Sequence, residues 1–254
     1  MLELIAFDAD DTLWHNESHY TNAKAAFIQI LSKYLDRELI ESRLDQIEIN
    51  NIGSYGYGIK SFVLSMIEAA GEVSGWKISS REIGEILVLG KQMLSADVHI
   101  VENVETTLDE LAKDYPLMLI TKGDLYEQER KVARSGLGKY FRHIQIVGDK
   151  TGQTYQALLE RYAIKPDRFL MVGNSLRSDI LPVLEIGGQA VYVPYENTWA
   201  HENNVGDGLQ KYRYLEINRL EELPELVRSL EVAGHQKEDV QPQNRKKPAW
   251  RNFG

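Results

Sequence analysis

The stretch "LELIAFDADDTLW", residues 2–14, joins a short apolar segment directly to three acidic side chains, Asp8, Asp10 and Asp11. Carboxylates this close in sequence repel one another, so they either lie in solvent or are held together by a cation. An apolar run of this length is typical of a strand that is covered on both faces of a parallel sheet. The stretch therefore predicts a buried strand that ends in a charged site.

Four further apolar runs are also typical of buried strands, and they cover residues 117–120, 143–147, 169–172 and 190–193. Helical patterns lie between most of them, over residues 104–115, 125–138, 153–164 and 178–188. Alternating strands and helices are typical of an α/β fold with a doubly wound parallel sheet. We therefore predict a Rossmann-like core of this class.

One long segment interrupts the alternation, because no strand pattern occurs from about Asn16 to Asp97. It contains helical patterns over 18–35, 59–71 and 79–94, and the last opens with a capping box formed by Ser79 and Glu82. We predict an α/β core over residues 1–15 and 98–234 and an inserted helical cap domain over residues 16–97. Residues 235–254 are predicted to be a basic, disordered tail.

The charge and composition of the chain limit its possible partners. The 254 residues carry a formal net charge of −9, although residues 235–254 hold five basic and only two acidic side chains. A body this acidic is a poor match for nucleic acid, which needs clustered Lys and Arg, but it suits divalent cations. No apolar run is long enough to span a membrane, and no leader pattern opens the chain. With no cysteine we expect a cytoplasmic protein, either a monomer or a homodimer.

Polar side chains follow the predicted strands at the points where the strands end. Because the carboxyl ends of parallel strands meet at one edge of a sheet, ligands bind there. A metal ion and a lysine at this edge would hold the acidic cluster together. The candidate site residues are Asp8, Asp10, Thr121, Lys122, Lys150, Asn174 and Asp179.

The order of these residues resembles the haloacid dehalogenase-like (HAD) hydrolases. Residues 8–12 look like the DxDx[TV] motif of that superfamily, Thr121 like its Ser/Thr motif and Lys150 like its lysine motif. Asn174 and Asp179 fall where its final acidic motif lies. The resemblance covers residues 1 to about 200 and includes a helical cap inserted after the first motif.

The resemblance implies a phosphatase that uses Mg²⁺ and an aspartyl-phosphate intermediate. Asp8 would be the nucleophile, and Asp10 would be the general acid and base. Thr121, Lys122 and Asn174 would bind the phosphate, and Lys150 would bind it too and neutralise both nucleophile and phosphate. The implied metal ligands are Asp8, the Asp10 carbonyl, Asn174 and Asp179.

One residue departs from the family pattern, and several functions stay open at this point. Many relatives have Asp where this chain has Asn174, which predicts looser Mg²⁺ binding, although an amide oxygen remains an acceptable ligand. Asp10 argues against a dehalogenase, since carbon–halogen chemistry has no leaving alkoxide to protonate. A phosphoryl mutase of the same family, a receiver-like phospho-binding module and a degenerate binding protein are also compatible with the pattern. The expected substrate is a small-molecule phosphate ester.

Overall fold

The structure is a computed structural model that describes residues 1–196, 198–203 and 205–238. The strands within this part of the chain are β1 (Leu4–Phe7), β2 (Trp14–His15), β3 (His99–Ile100), β4 (Leu117–Lys122), β5 (His143–Val147), β6 (Phe169–Gly173), β7 (Gln189–Tyr192) and β8 (Leu215–Glu216). The helices are α1 (Glu17–Leu31), α2 (Arg37–Tyr55), α3 (Ile59–Val73), α4 (Ser80–Ser95), α5 (Val104–Leu111), α6 (Leu125–Ser135), α7 (Gly152–Tyr162), α8 (Leu181–Glu185), α9 (Ala200–Asn203) and α10 (Leu223–Glu238).

Six strands form one parallel sheet in the order β5-β4-β1-β6-β7-β8. β1 lies in the middle, where Ile5 pairs with Leu117 of β4 on one side and with Leu170 of β6 on the other. The chain winds outward in both directions from this strand, which makes its carboxyl end the switch point where such sheets bind ligands. The doubly wound parallel sheet predicted from the sequence is confirmed.

The sheet has an apolar layer on each face because successive residues of a strand point to opposite sides. Ile5 and Phe7 pack in a cluster with α5 and α10, whereas Leu4 and Ala6 pack in another cluster with α7 and α8. This double coverage explains why the strand sequences are continuously apolar rather than alternating. The carboxyl end of β1 is thereby fixed in the centre of the molecule.

The segment between β2 and β3 is helical and has an apolar cluster of its own, which includes Phe27, Leu44, Phe62 and Ile86. Ser79 and Glu82 form the predicted capping box at the start of α4. Helix α2 was absent from the prediction, although Ile40, Leu44 and Ile47 are buried at helical spacing. Most residues of α2 are polar, so the sequence shows only a weak apolar stripe at helical spacing.

Two short strands connect the helical segment to the core. β2 and β3 pair antiparallel, with Trp14 opposite Ile100 and His15 opposite His99. Helix α10 extends through Glu238, so it includes the first residues of the predicted tail; residues 239–254 lie outside the described residues. No helix within the described ranges is long and apolar enough to cross a membrane.

Candidate active site

Asp8 and Lys150 meet at the carboxyl end of β1. The Lys150 Nζ donates to Asp8 Oδ1 at 2.5 Å and to Asp179 Oδ1 at 2.7 Å, and all three side chains are buried. Burial alone lowers the pKa of Lys150, but the Asp179 and Asp8 carboxylates outweigh it and raise that pKa above its usual value. The lysine is therefore a fixed cation beside both acids.

Asp179 owes its position to the turn that follows β6. A single π-helical turn, Leu176–Ile180, carries it back toward the sheet, where its Oδ2 accepts from the Ser175 N–H at 3.0 Å. A Cβ at Gly173 would collide with the Asp179 carboxylate, so glycine is needed at the end of this strand. Burial raises the pKa of Asp179 well above its usual range, and the nearby Asp8 carboxylate adds to this effect against the opposing Lys150 charge.

Asp10 lies on the same loop, and three other side chains fix its carboxylate. Trp14 Nε1 donates to its Oδ1 at 2.6 Å, and Lys131 Nζ lies 3.0 Å from each of its oxygens. Gln128 Nε2 donates to its Oδ2 at 3.1 Å. Lys131 also donates to Asn16 Oδ1, at 2.7 Å, so one ammonium holds Asp10 to the residue where the helical segment begins.

Thr121 and Asn174 also lie at this edge of the sheet, as predicted. Thr121 is fully buried and its Oγ1 accepts from Gln128 Nε2 at 2.5 Å. Thr12 Oγ1 lies 3.0 Å from Asp8 Oδ2 and 3.3 Å from Asn174 Oδ1, so this hydroxyl connects the first and last motifs. The structure thus gathers residues from four separate strand ends.

Lys122 is held by a partner that the sequence did not indicate. Its Nζ donates to Glu202 Oε1 at 2.5 Å and to Ser178 Oγ at 2.8 Å, and it lies 4.0 Å from the centre of the Tyr57 ring. Glu202 also accepts from Ser175. Although burial opposes it, the Lys122 charge and these hydrogen bonds lower the pKa of Glu202 to about 2. Lys122, which the family resemblance assigns to phosphate binding, is therefore already paired with the Glu202 carboxylate.

The remaining acidic residues of the motif loops have structural roles. Asp11, at a left-handed φ of 62°, accepts from the Asn16 and Glu17 N–H groups at the start of α1. Asp124 accepts from the Glu127 N–H at the start of α6. Asp11 thus anchors the start of α1, and Asp124 caps α6. Asp149 Oδ1 accepts from the Lys150 N–H at 2.8 Å and so orients the lysine backbone.

A cavity of about 310 Å³ opens above these residues and reaches into the helical segment. Its lining includes every predicted site residue. Trp199 also lines it. The lining side chains from the core are Asp8, Asp10, Thr121, Lys122, Lys150, Asn174 and Asp179, together with Gln128 and Glu202.

The donors around Asp8 are compatible with a Mg²⁺ ion. Asp8 and Asp179 share one ammonium, so ionisation of both carboxyl groups leaves one negative charge that a cation would balance. Carboxylate and amide oxygens are ligands that Mg²⁺ accepts. Within the described residues, no three or more His, Asp or Glu side chains are grouped so as to hold a metal ion. Any complete set therefore needs Asn174 or a backbone carbonyl.

Gln128, Lys131 and Glu202 are the site residues that the sequence analysis missed. Gln128 and Lys131 follow Asp124 by four and seven residues on α6, so one helix face presents all three. This spacing would have revealed them. Glu202 lies on the short helix α9, and nothing in its local sequence predicts its contact with Lys122.

The sequence and the structure of this chain are similar to those of known proteins. The family model for haloacid dehalogenase-like hydrolases matches residues 2–187. The human N-acylneuraminate-9-phosphatase is 23% identical, with 89% of this chain and 94% of that protein covered. The glyceraldehyde 3-phosphate phosphatase of Methanothermobacter thermautotrophicus is 26% identical, with 88% of this chain and all of that protein covered.

The crystal structure of a haloacid dehalogenase-like family hydrolase from Xanthomonas campestris has the same fold, with a TM-score of 0.83 at 38% identity. That match covers 93% of this chain and 94% of the other. The family match, the sheet order and the residues gathered at the end of β1 agree. The chain therefore belongs to the haloacid dehalogenase-like hydrolases.

Proposed function

We propose that this chain is a Mg²⁺-dependent phosphatase that hydrolyses a small-molecule phosphate monoester through an aspartyl-phosphate intermediate. The observation that carries the proposal is the contact of Asp8 with Lys150 at the base of a cavity that Asp10 also lines. A nucleophile beside a fixed cation, with a second carboxylate on the same loop, is what attack on an anionic ester requires.

In the first step, Asp8 attacks phosphorus and forms the acyl-phosphate bond while the bond to the leaving oxygen breaks. Asp10, in its protonated form, gives its proton to that oxygen, and the alcohol leaves. Asp10, now a carboxylate, then takes a proton from water, and the resulting hydroxide attacks phosphorus while the bond between phosphorus and the Asp8 oxygen breaks. Inorganic phosphate is released and Asp8 is regenerated.

The neighbouring residues stabilise the charge that develops on the phosphoryl group. The Lys150 ammonium would offset repulsion between Asp8 and the phosphate, and the Thr121 hydroxyl would bind a phosphoryl oxygen. Asp8, Asn174, Asp179 and the Asp10 carbonyl would hold Mg²⁺, which would supply further positive charge at the transferring oxygens. Gln128 fixes Thr121 and Asp10 relative to each other.

The names of the relatives support a phosphatase over a phosphoryl mutase or a binding module. The human and Methanothermobacter proteins are both named as phosphatases of phosphorylated metabolites. Asp10 in the cavity supports ester hydrolysis over dehalogenation, because an alkoxide leaving group needs a proton donor. We also propose that residues 16–97 form a cap that closes over the substrate. A cytoplasmic location, expected from the cysteine-free sequence, belongs to the same proposal.

Replacing the nucleophile tests the proposal directly. Asp8→Asn is expected to lower kcat for p-nitrophenyl phosphate with Mg²⁺ by about 10³-fold or more, because an amide does not attack phosphorus. The control is Asp167→Asn, which changes an exposed aspartate far from the cavity. Circular dichroism would verify that both variants fold. Undiminished turnover by Asp8→Asn would refute the assignment of the nucleophile.

A further inference from the structure

The core and the helical segment each line one half of the cavity, and they also touch each other beside it. The loop that joins α2 to α3, together with the first turn of α3, lies against the end of β4 and the start of α6. The Lys122 ammonium lies 4.0 Å from the centre of the Tyr57 ring, and Lys60 Nζ contacts Asp124 Oδ2 at 2.6 Å. Two lysines, one from each side, therefore hold this loop on the core.

Glu127 of α6 is a buried carboxylate that receives the middle of the same loop. Its Oε2 accepts a hydrogen bond from the Ile59 N–H at 2.9 Å, and its side chain is only 5% exposed. A Cβ added to Gly58 would stand 2.9 Å from this oxygen, and Gly58 has a φ of +115°, which other residues rarely adopt. Glycine at position 58 therefore lets the backbone of the helical segment reach Glu127.

The other oxygen of Glu127 faces the lysine that holds Asp10. Glu127 Oε1 lies 3.5 Å from Lys131 Nζ, and that ammonium lies 3.0 Å from each of the Asp10 oxygens. Glu127 and Lys131 are four residues apart on α6, so the helix itself keeps them on one face. A continuous series of contacts therefore runs from the backbone of the helical segment, through two side chains of α6, to Asp10.

We infer that Glu127 is a positioning residue for the reaction, which holds Lys131 in place so that Asp10 is set to transfer a proton. This inference rests on the proposed function, in which Asp10 protonates the leaving oxygen. Burying a carboxylate is costly unless it is paired and hydrogen-bonded, and Glu127 meets this condition with one contact from each part of the molecule. The helical segment thus takes part in the chemistry through a backbone N–H, besides its proposed role in covering the substrate.

Two aryl esters with different leaving groups test the inference. p-Nitrophenolate leaves as a stable anion, whereas phenol, with a pKa of about 10 like the tyrosine side chain, leaves with help from a proton donor. Because kcat/KM covers the steps through departure of this group, the ratio of kcat/KM for phenyl phosphate to that for p-nitrophenyl phosphate reports proton transfer by Asp10. A residue that only stabilises the fold, or only binds the phosphate, would lower both values equally.

Glu127→Gln should lower kcat/KM for phenyl phosphate by about tenfold and that for p-nitrophenyl phosphate by less than about threefold. The substitution is isosteric, but an amide has one acceptor oxygen where Glu127 uses two, so the contact with Ile59 or with Lys131 is lost. Glu129→Gln, at an exposed position of the same helix, is the matched control and should keep both wild-type values.

Two further variants test the two ends of the series of contacts. Gly58→Ala displaces the loop from Glu127 without changing any charge, so it should lower the same ratio, and it provides the test if Glu127→Gln does not fold. Adding Glu127→Gln to Lys131→Met should lower the ratio no further than Lys131→Met alone, since both residues act on Asp10 through one route. Independent, multiplying losses in the double variant would overturn the route through Lys131.

The remaining outcomes separate this inference from the function on which it rests. If the variants of Glu127 and Gly58 that circular dichroism shows to be folded lower kcat/KM equally for both esters, or for neither, the inference fails alone. The wild-type protein would still hydrolyse p-nitrophenyl phosphate, and Asp8→Asn would still abolish that activity. If the wild-type protein hydrolyses neither ester with Mg²⁺, the proposed function fails and this inference fails with it.

Discussion

The two halves of the cavity hold their charged groups in opposite ways. In the core half the two carboxylates nearest the end of β1 have ammonium partners, Lys150 for Asp8 and Lys131 for Asp10, whereas Asp11 is held by backbone N–H groups. In the helical half, Glu17 and Glu48 accept no hydrogen bond from any group that the structure describes. Both kinds of acid line one continuous space, so exposure to solvent alone does not explain the difference.

This contrast separates carboxylates that an ammonium group holds in place from carboxyl groups that burial alone affects. Pairing in the core fixes the orientation of the reacting side chains before substrate arrives, which avoids reorganisation during the reaction. The unpaired acids of the helical half carry a desolvation cost, which appears as a raised pKa for Glu17 and Glu48.

Removing the central cation should have the largest effect. Lys150→Met leaves Asp8 and Asp179 buried side by side, and breaking a buried pair in this way costs about 3–5 kcal/mol of unfolding free energy. We expect kcat for p-nitrophenyl phosphate to fall by about 10³-fold. Chemical unfolding in the presence of a chelator measures the first effect and steady-state kinetics the second.

The matched control for this experiment is Lys91→Met, which removes an exposed lysine on α4. It should leave both the unfolding free energy and kcat near their wild-type values. A Lys150→Met protein as stable as the wild type would show that the two carboxylates do not depend on this ammonium, and the core half would then not differ from the helical half.

Lys131 should have the next largest effect, because it acts on the reaction through Asp10. Lys131→Met removes the ammonium that lies 3.0 Å from both Asp10 oxygens, and a misplaced acid–base group costs about 10²-fold in kcat. KM should change little, since Lys131 contacts Asp10 rather than the substrate. Lys131→Arg keeps the charge and should recover part of the loss. If Lys131 had only a structural role, its replacement would lower the unfolding free energy but would not lower kcat while leaving KM nearly unchanged.

Much of the core was predictable because its sequence pattern and its physical cause are both local. A strand buried on two faces must be continuously apolar, so residues 4–7, 117–120 and 169–172 were recognisable. The end of each strand then located Asp8, Thr121, Lys150 and Asp179 at one edge of the sheet. Even the capping box at Ser79 is a short-range pattern.

The missed features depend on contacts between residues distant in sequence. Glu202 meets Lys122 across eighty residues, and the Thr12 hydroxyl meets Asn174 across more than a hundred and sixty. Lys131 was recoverable in principle, since it shares a helix face with Asp124, but its bond to Asp10 depends on how α6 packs. The unpartnered state of Glu48 likewise appears only when the helices are assembled around the cavity.

Glu202 and Glu48 provide a sharper test, because the same substitution should have opposite effects at the two sites. The pKa of Glu202 is lowered from 4.5 to about 2, so its contribution is complete above pH 4.5 and is lost as pH falls toward 2. Glu202→Gln should therefore lower the unfolding free energy at pH 7 by about 2 kcal/mol, with less effect at pH 3. Urea unfolding at the two pH values measures this difference. Glu129→Gln, at an exposed position, should show neither change.

Glu48→Gln should instead raise the unfolding free energy, and by the smallest amount. Because the pKa of Glu48 is raised from 4.5 to about 7, its folded carboxyl keeps a proton that the unfolded chain has lost between those values. The stability of the wild-type protein thus declines as pH rises through this range, and the decline is complete above pH 7. The variant lacks that decline, so it should be about 1 kcal/mol more stable at pH 8 and nearly unchanged at pH 4. Urea unfolding that gave a loss of stability at pH 8 would mean that Glu48 already has a partner in the free protein, and the contrast between the two halves would disappear.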